Sequence, residues 1–328
     1  MIISGWATSQ GTLRYHQKFS LPQWAVHNVL DLTLSAVGVG TYLGNPDSQT
    51  DTCQLNALLA LLNSGCNVID CAPNYRNGRS EITIGRAIQT ALNSKIIERD
   101  HIFVATKTGL VPESFKLPSH LPLTIDNSCF HPDYFYISLE TSLKNLQLSS
   151  VDCIFLHNLE LLKLSDCEAF PHRYKEIVAS MENIVQMNMS RSWGISSWNG
   201  FRVKPDHPEY LSLEMLMSYS APNLRYLQFP LGIWGSEAIT GMWQNGRSIL
   251  SESHNLGIFT NSSLFQGELP VILQNREDLI DSAVCFARDT PGVGVSLLGI
   301  KQMKHVNSWK RIQNRPPHNT SDIFSNFL

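Results

Sequence analysis

The sequence predicts an α/β fold, a (β/α)8 TIM barrel in a single domain, on three observations. Eight short apolar runs recur along its 328 residues. Helix-like segments separate them. Three successive runs end in an ionisable residue.

The runs span 34–40, 66–70, 102–107, 152–157, 192–196, 226–229, 257–261 and 293–299. Most are continuously apolar rather than alternating, which suits strands covered on both faces. Between the first two, Leu55, Leu58, Leu59 and Leu62 share one helical face, and Gly65 follows as a C-terminal stop. Ile84, Ala87, Ile88 and Ala91 repeat that spacing, and Leu139, Leu143 and Leu146 mark a third helix. Weaker helical patterns fall near 174–189, 209–219, 236–254, 276–289 and 303–312. Strand then helix, eight times over, is the order of a parallel barrel; the doubly wound open sheet is the rival. In the barrel reading, residues 1–33 cap the bottom, 34–312 form the barrel and 313–328 a short C-terminal tail. Residues 108–132 make a long connection, of the kind that serves as a lid or substrate wall.

The chain is 43% hydrophobic, enough for a large core, with a formal net charge of −3. No basic surplus points to nucleic acid, and no dense Lys/Arg run or window of about 18 apolar residues points to a membrane. Seven cysteines are scattered without a C-x-x-C pair, and the N-terminus lacks a basic-then-apolar leader. Both features predict a cytoplasmic protein with reduced thiols. A monomer or weak homo-oligomer is expected.

Barrel chemistry sits at the C-terminal ends of the strands. There the second run ends at Asp70, with Tyr75 five residues on; the third ends at Lys107 and the fourth at His157. Singly, each has an ordinary structural explanation: a cap, a core aromatic, a snorkelling lysine, a satisfied histidine. Together they match what carbonyl reduction requires, an acid that protonates the developing alkoxide. A phenol ionises near pH 10, so it needs help at neutral pH. An ammonium stabilises the phenolate, and a carboxylate holds the ammonium in place. Tyr75 is then the acid, Lys107 its tuner and Asp70 the anchor of Lys107. His157 would orient the carbonyl or share the proton.

These residues resemble the motifs of the aldo-keto reductases. The stretch Gly65-Cys66-Asn67-Val68-Ile69-Asp70-Cys71-Ala72, then Tyr75, then Gly78-Arg79-Ser80-Glu81 with Gly85, looks like that family's early signature. Thr106-Lys107 and Leu156-His157-Asn158 look like its next two, and Gly38-Val39-Gly40-Thr41-Tyr42-Leu43-Gly44 resembles its first strand end. The similarity runs from about residue 34 to 312. It implies an Asp/Tyr/Lys/His tetrad at Asp70, Tyr75, Lys107 and His157. It also implies a nicotinamide cofactor, NADPH (NADP+) first and NADH second, held without a Rossmann fingerprint. No G-x-G-x-x-G stands between a strand and a helix.

By the same resemblance, Gly40 and Thr41 border the cofactor, and Ser196, Ser197 and Gln228 hold the nicotinamide amide. Ser262 and Leu264 lie in the loop around the pyrophosphate. Lys301, Gln302 and His305 form the clamp on the 2′-phosphate. The chain departs from the family on the cofactor side only. Ser197 replaces a usual asparagine, Gly232 offers no side chain, and His305 replaces a frequent arginine. Asn307-Ser308 stand for a Glu-Asn pair. A histidine there predicts cofactor affinity that changes with pH, between pH 6 and pH 8.

The expected substrate is a small aldehyde or ketone, sugar-derived ones included, or the matching alcohol in reverse. Trp193, Trp198, Trp234 and Trp243 are candidates for apolar walls. The short tail after Arg315-Pro316-Pro317 predicts an open site without a large C-terminal loop. Cys129 and His131 form only a Cys-x-His pair, so no metal is expected. The alternatives are a cofactor-binding regulatory or sensor subunit with little turnover, and a different barrel enzyme. Barrel hydrolases need paired carboxylates or a metal cluster, and Asp70 is the one clear carboxylate at a strand end.

Overall fold

A computed structural model describes residues 2–317; residues 318–328 of the expected tail lie outside the described residues. In chain order, α1 (Ser9–Gln17) precedes an antiparallel hairpin of β1 (Val26–Val29) and β2 (Leu32–Ser35). Then follow β3 (Val37–Gly40), α2 (Ser48–Leu62), β4 (Val68–Asp70), α3 (Arg79–Asn93), β5 (Phe103–Thr108) and α4 (Pro132–Leu146). Next come β6 (Cys153–His157), α5 (Glu160–Ser165), α6 (Phe170–Gln186), β7 (Trp193–Ser196), α7 (Leu213–Met217) and β8 (Leu224–Pro230). The chain closes with α8 (Glu237–Thr240), α9 (Ile249–Glu252), β9 (Gly257–Asn261), α10 (Glu268–Ile272), α11 (Glu277–Asp289), β10 (Val295–Gly299) and α12 (Met303–Asn314).

Strands β3 to β10 close into an eight-stranded parallel barrel, with β10 beside β3. The register sets the level of the site residues. Gly40 pairs with Asp70, and His157 with Ser196, which in turn pairs with Gln228. The side chains needed for chemistry therefore share one rim.

Inside the barrel, Val68, Phe103, Phe155, Tyr226, Phe259 and Val295 form a packed core. Gly194 makes room for it: a Cβ there would lie 2.5 Å from Phe155 Cε1 and 2.6 Å from the Tyr226 carbonyl oxygen. At the bottom, a Cβ on Gly257 or Gly294 would meet Val29 of the hairpin at 3.0 or 2.9 Å, so the hairpin packs where β9 and β10 begin. The buried Arg99–Asp152 pair, 2.8 Å apart, receives the backbone N–H of Ala7 and ties the N-terminal segment to that end.

Three expectations change. The run 34–40 is two strands, because the hairpin ends at Ser35, whose N–H turns to Asn67 Oδ1 at 2.8 Å. The helix expected over 236–254 is two four-residue pieces. Asn245 and Gly246, at φ 54° and 78°, form a two-residue turn bridging Gln244 and Arg247, and a helix cannot pass through it. Finally, α12 runs to Asn314, two residues into the expected tail. Among the described residues, no helix is long and apolar enough to cross a membrane.

Candidate active site

A cavity of about 380 Å³ opens at the C-terminal rim of the barrel. Asp70, Tyr75 and His157 line it, together with Gly40, Thr41, Ser196, Ser197, Ser262 and Leu264. Lys107 and Gln228 are not in its wall; they lie just behind and organise it.

The organising unit is a buried chain of polar contacts. Lys107 Nζ donates to Asp70 Oδ2 at 2.6 Å and to the Cys71 carbonyl at 3.0 Å. Gln228 Nε2 donates to the other carboxylate oxygen, Oδ1, at 2.8 Å. Ser196 Oγ then donates to Gln228 Oε1 at 2.9 Å, and Asn261 Nδ2 reaches the same oxygen at 3.4 Å. Five strands are thereby joined at one level. Burial alone would lower the Lys107 pKa, but the adjacent Asp70 more than reverses this, so the ammonium stays charged.

Tyr75 opens a tight turn in which Arg76 and Asn77 both adopt left-handed backbone angles, φ 54° and 53°. Its ring sits edge-on to His157 and Tyr42, with centroids 6.0 and 5.2 Å away. Lys107 Nζ lies 4.8 Å from the ring centroid. Burial pushes the phenol above its usual value by more than Lys107 pulls it down. The expected tuning is thus present in sign, yet the net direction is upward, and Tyr75 holds its proton at neutral pH. Burial, and then the Lys107 charge, drive the His157 pKa well below 6.5, so its imidazole is neutral. Its Nδ1 is buried without a partner among the described residues.

Other expected residues divide. The Thr41 hydroxyl is engaged internally, donating to the Asp70 carbonyl at 2.9 Å and accepting from Ser80 Oγ at 2.7 Å. Ser197 Oγ accepts the Gly200 N–H at 2.8 Å. Lys301 and Gln302 line a separate depression with Asn45, Thr50 and Cys53. The Lys301 ammonium meets no carboxylate among the described residues. His305 lines neither hollow; its Nδ1 accepts the Lys301 N–H at 3.3 Å. Burial, with Lys304 and Lys301 nearby, lowers its pKa to about 4. Without a bound phosphate, His305 is therefore neutral at pH 6 to pH 8.

Leu110 brings the 108–132 connection to the cavity, and Trp198 forms part of the wall. Trp193 is instead a core residue, its Nε1 donating to Glu182 at 2.8 Å. Cys129 is buried, whereas His131 caps α4 by accepting the Asp133 N–H at 3.2 Å. The carboxylate–histidine group of Glu98, Asp100 and His101 already engages Arg14, 2.8 Å from Asp100, and His101 Nδ1 accepts the Glu98 N–H.

One contributor was not anticipated. Glu160 is buried, and its Oε1 accepts the backbone N–H groups of Trp198 and Asn199 at 2.6 and 2.9 Å. It fixes the turn that carries Ser197 and Trp198 into the cavity. Its place three residues after His157 was the only signal in the sequence.

Comparison with known proteins gives a consistent result. A family model described as the aldo/keto reductase family matches residues 36–204. Aldo-keto reductase family 1 member A1-A of Danio rerio is 27% identical over 182 residues, 52% of this chain and 48% of that protein. Methylglyoxal reductase YeaE of Escherichia coli is 29% identical over 168 residues, 51% of this chain and 47% of that protein. The chain spans about half the length of the curated relatives it matches. An aldo/keto reductase from Klebsiella pneumoniae, solved with NADP and acetate, superposes with a TM-score of 0.65 at 18% identity. That superposition covers 92% of this chain and 95% of the other, and it establishes the fold.

Proposed function

The chain belongs to the aldo/keto reductase family, and on that premise we propose that it is an NAD(P)H-dependent oxidoreductase acting on a small aldehyde or ketone, or in reverse on the alcohol. The observation that carries this reading is the convergence of Asp70, Tyr75 and His157 on one cavity, with Lys107 paired to Asp70 behind it.

The residues present fit a nicotinamide dinucleotide. Asn261 Oδ1 is a buried acceptor at the cavity wall without a donor among the described residues, beside the Ser196 and Gln228 pair. Together they suit a carboxamide head. The uncompensated Lys301 suits the 2′-phosphate of NADPH. When bound, the cofactor supplies the hydride. Neutral His157 offers an N–H from Nε2 to the substrate oxygen and polarises the carbonyl. Tyr75, holding its proton at neutral pH, delivers that proton to the oxygen as negative charge develops there. Lys107 stabilises the phenolate left behind, Asp70 keeps Lys107 in place, and solvent returns the proton. Trp198, Leu110 and Tyr42 supply apolar walls for a small substrate.

A second reading, a cofactor sensor with little turnover, draws on Gly232 and His305. Gly232, in a side hollow with Trp198 and Ser263, offers no side chain, and His305 is turned to the Lys301 backbone. Titration with NADPH and NADH by fluorescence, followed by a panel of aldehydes, separates the two. Binding with turnover supports the reductase; tight binding without turnover on any carbonyl supports the sensor; no binding of either nucleotide removes both.

A further inference from the structure

The turn after Tyr75 holds Arg76, Asn77 and Gly78 successively at positive φ, 54°, 53° and 83°. Glycine adopts such angles freely, but a side chain in them is strained. Arginine at the first of these positions therefore needs a compensating reason. Its guanidinium supplies one, since the side chain is only 1% exposed and every nitrogen is used. Nε donates to the Asn45 carbonyl at 2.9 Å and Nη1 to Gln54 Oε1 at 2.8 Å. Nη2 reaches the Asp47 carbonyl at 3.3 Å and pairs with Asp51. Gln54, fully buried, passes the link on: its Nε2 lies 3.3 Å from both the Thr41 and the Ile300 carbonyls. Arg76 thus joins the turn of Tyr75 to the segment after β3, to α2 and to the end of β10, where Lys301 follows. None of the four residues that the guanidinium meets lies in the cavity wall, and only the onward link through Gln54 reaches it, at Thr41.

We propose that Arg76 is a positioning residue: its buried guanidinium clasps Asn45, Asp47, Asp51 and Gln54, and so sets the Tyr75 phenol over the cavity and beside Lys107. The inference rests on the reductase reading for its kinetic consequence only. Small displacements of an acid from its working geometry cost roughly 10- to 100-fold in rate.

Arg76→Gly tests it, because glycine suits the backbone angle and removes only the clasp. Arg76→Lys keeps the charge without the fork and serves if the glycine variant fails to fold. The probes are NADPH and a turned-over aldehyde, together with the resonance of Tyr75 in protein carrying carbon-13-labelled tyrosine, assigned by its loss in Tyr75→Phe. The expected result is kcat lowered about tenfold or more with KM for the aldehyde within about threefold. A displaced Tyr75 resonance titrating at a different pH should accompany it. Unchanged kcat and an unchanged Tyr75 resonance in whichever variant folds would overturn the assignment. If wild-type protein turns over no carbonyl, the reductase reading falls, and the Tyr75 resonance alone decides the clasp.

Discussion

Lys107 and Asp70 form a sealed ion pair: Nζ and Oδ2 are 2.6 Å apart, and neither side chain is more than 4% exposed. Breaking such a pair from one side strands a charge in the interior. Asp70→Asn keeps the shape and removes the compensating charge, so stability at pH 7 should fall by roughly 3–5 kcal/mol in urea unfolding. The folded Lys107 pKa lies above its unfolded value, so the pair's contribution is full below about pH 10.4 and is lost as pH rises further. The gap between wild type and variant should narrow above that pH. A constant gap would show that Lys107 is not the group being compensated.

Glu160 acts at a distance from the chemistry. Removing it with Glu160→Ala frees the N–H groups of Trp198 and Asn199 and loosens the turn holding Ser197. NADPH affinity should weaken by about tenfold, the equivalent of one or two lost hydrogen bonds. Fluorescence titration checks it; an unaltered Kd would mean the turn holds itself.

His305 should make NADPH binding sensitive to acid rather than to neutral pH. Its free pKa is lowered to about 4, burial being the main cause. A neighbouring phosphate would raise it, so binding takes up a proton and tightens as pH falls. Wild type should bind equally at pH 7 and pH 8 and gain affinity towards pH 5 relative to His305→Gln. A difference between the two proteins that appears only from pH 6 to pH 8 would contradict the burial argument.

His16 predicts where acid unfolding begins. Neither buried ring nitrogen has a full hydrogen bond among the described residues, and burial, which outweighs the nearby Asn67 and Thr33, lowers its pKa to about 4. Below pH 6.5 the unfolded chain takes up a proton that the folded one cannot. Stability should therefore fall by about 1.4 kcal/mol per pH unit from this group between pH 6.5 and about 4. His16→Phe should remove that share of the slope in urea unfolding at pH 7, 6 and 5. An unchanged slope would place the acid lability elsewhere.

The barrel was legible in the sequence because its strands are continuously apolar and end in residues that break the pattern, as at Asp70, Lys107 and His157. The split at Ala36 was not, since a hairpin strand and a barrel strand of similar apolarity follow one another directly. The break at Asn245-Gly246 was written in a turn dipeptide that a helical reading of 236–254 overrode. At the site, Asp70, Tyr75 and His157 could be placed from strand ends. The Gln228–Asp70 hydrogen bond, 158 residues apart in sequence, could not, because only barrel closure brings β8 across from β4. The same holds for Arg76, whose partners lie in a segment the strand pattern leaves undefined. The lowering of the His305 pKa was not legible either, because burial, its main cause, is a property of the folded chain.

The most direct test of the central claim is the oxidation of NADPH by an aldehyde panel, followed by the absorbance of the reduced nicotinamide, with wild type and Tyr75→Phe side by side. The phenylalanine ring keeps the contacts to His157 and Tyr42 and lacks only the hydroxyl that carries the proton. Turnover by wild type that falls at least about 100-fold in Tyr75→Phe, with NADPH binding intact, is the expected result. Equal turnover by both proteins would contradict the assignment of Tyr75 as the acid.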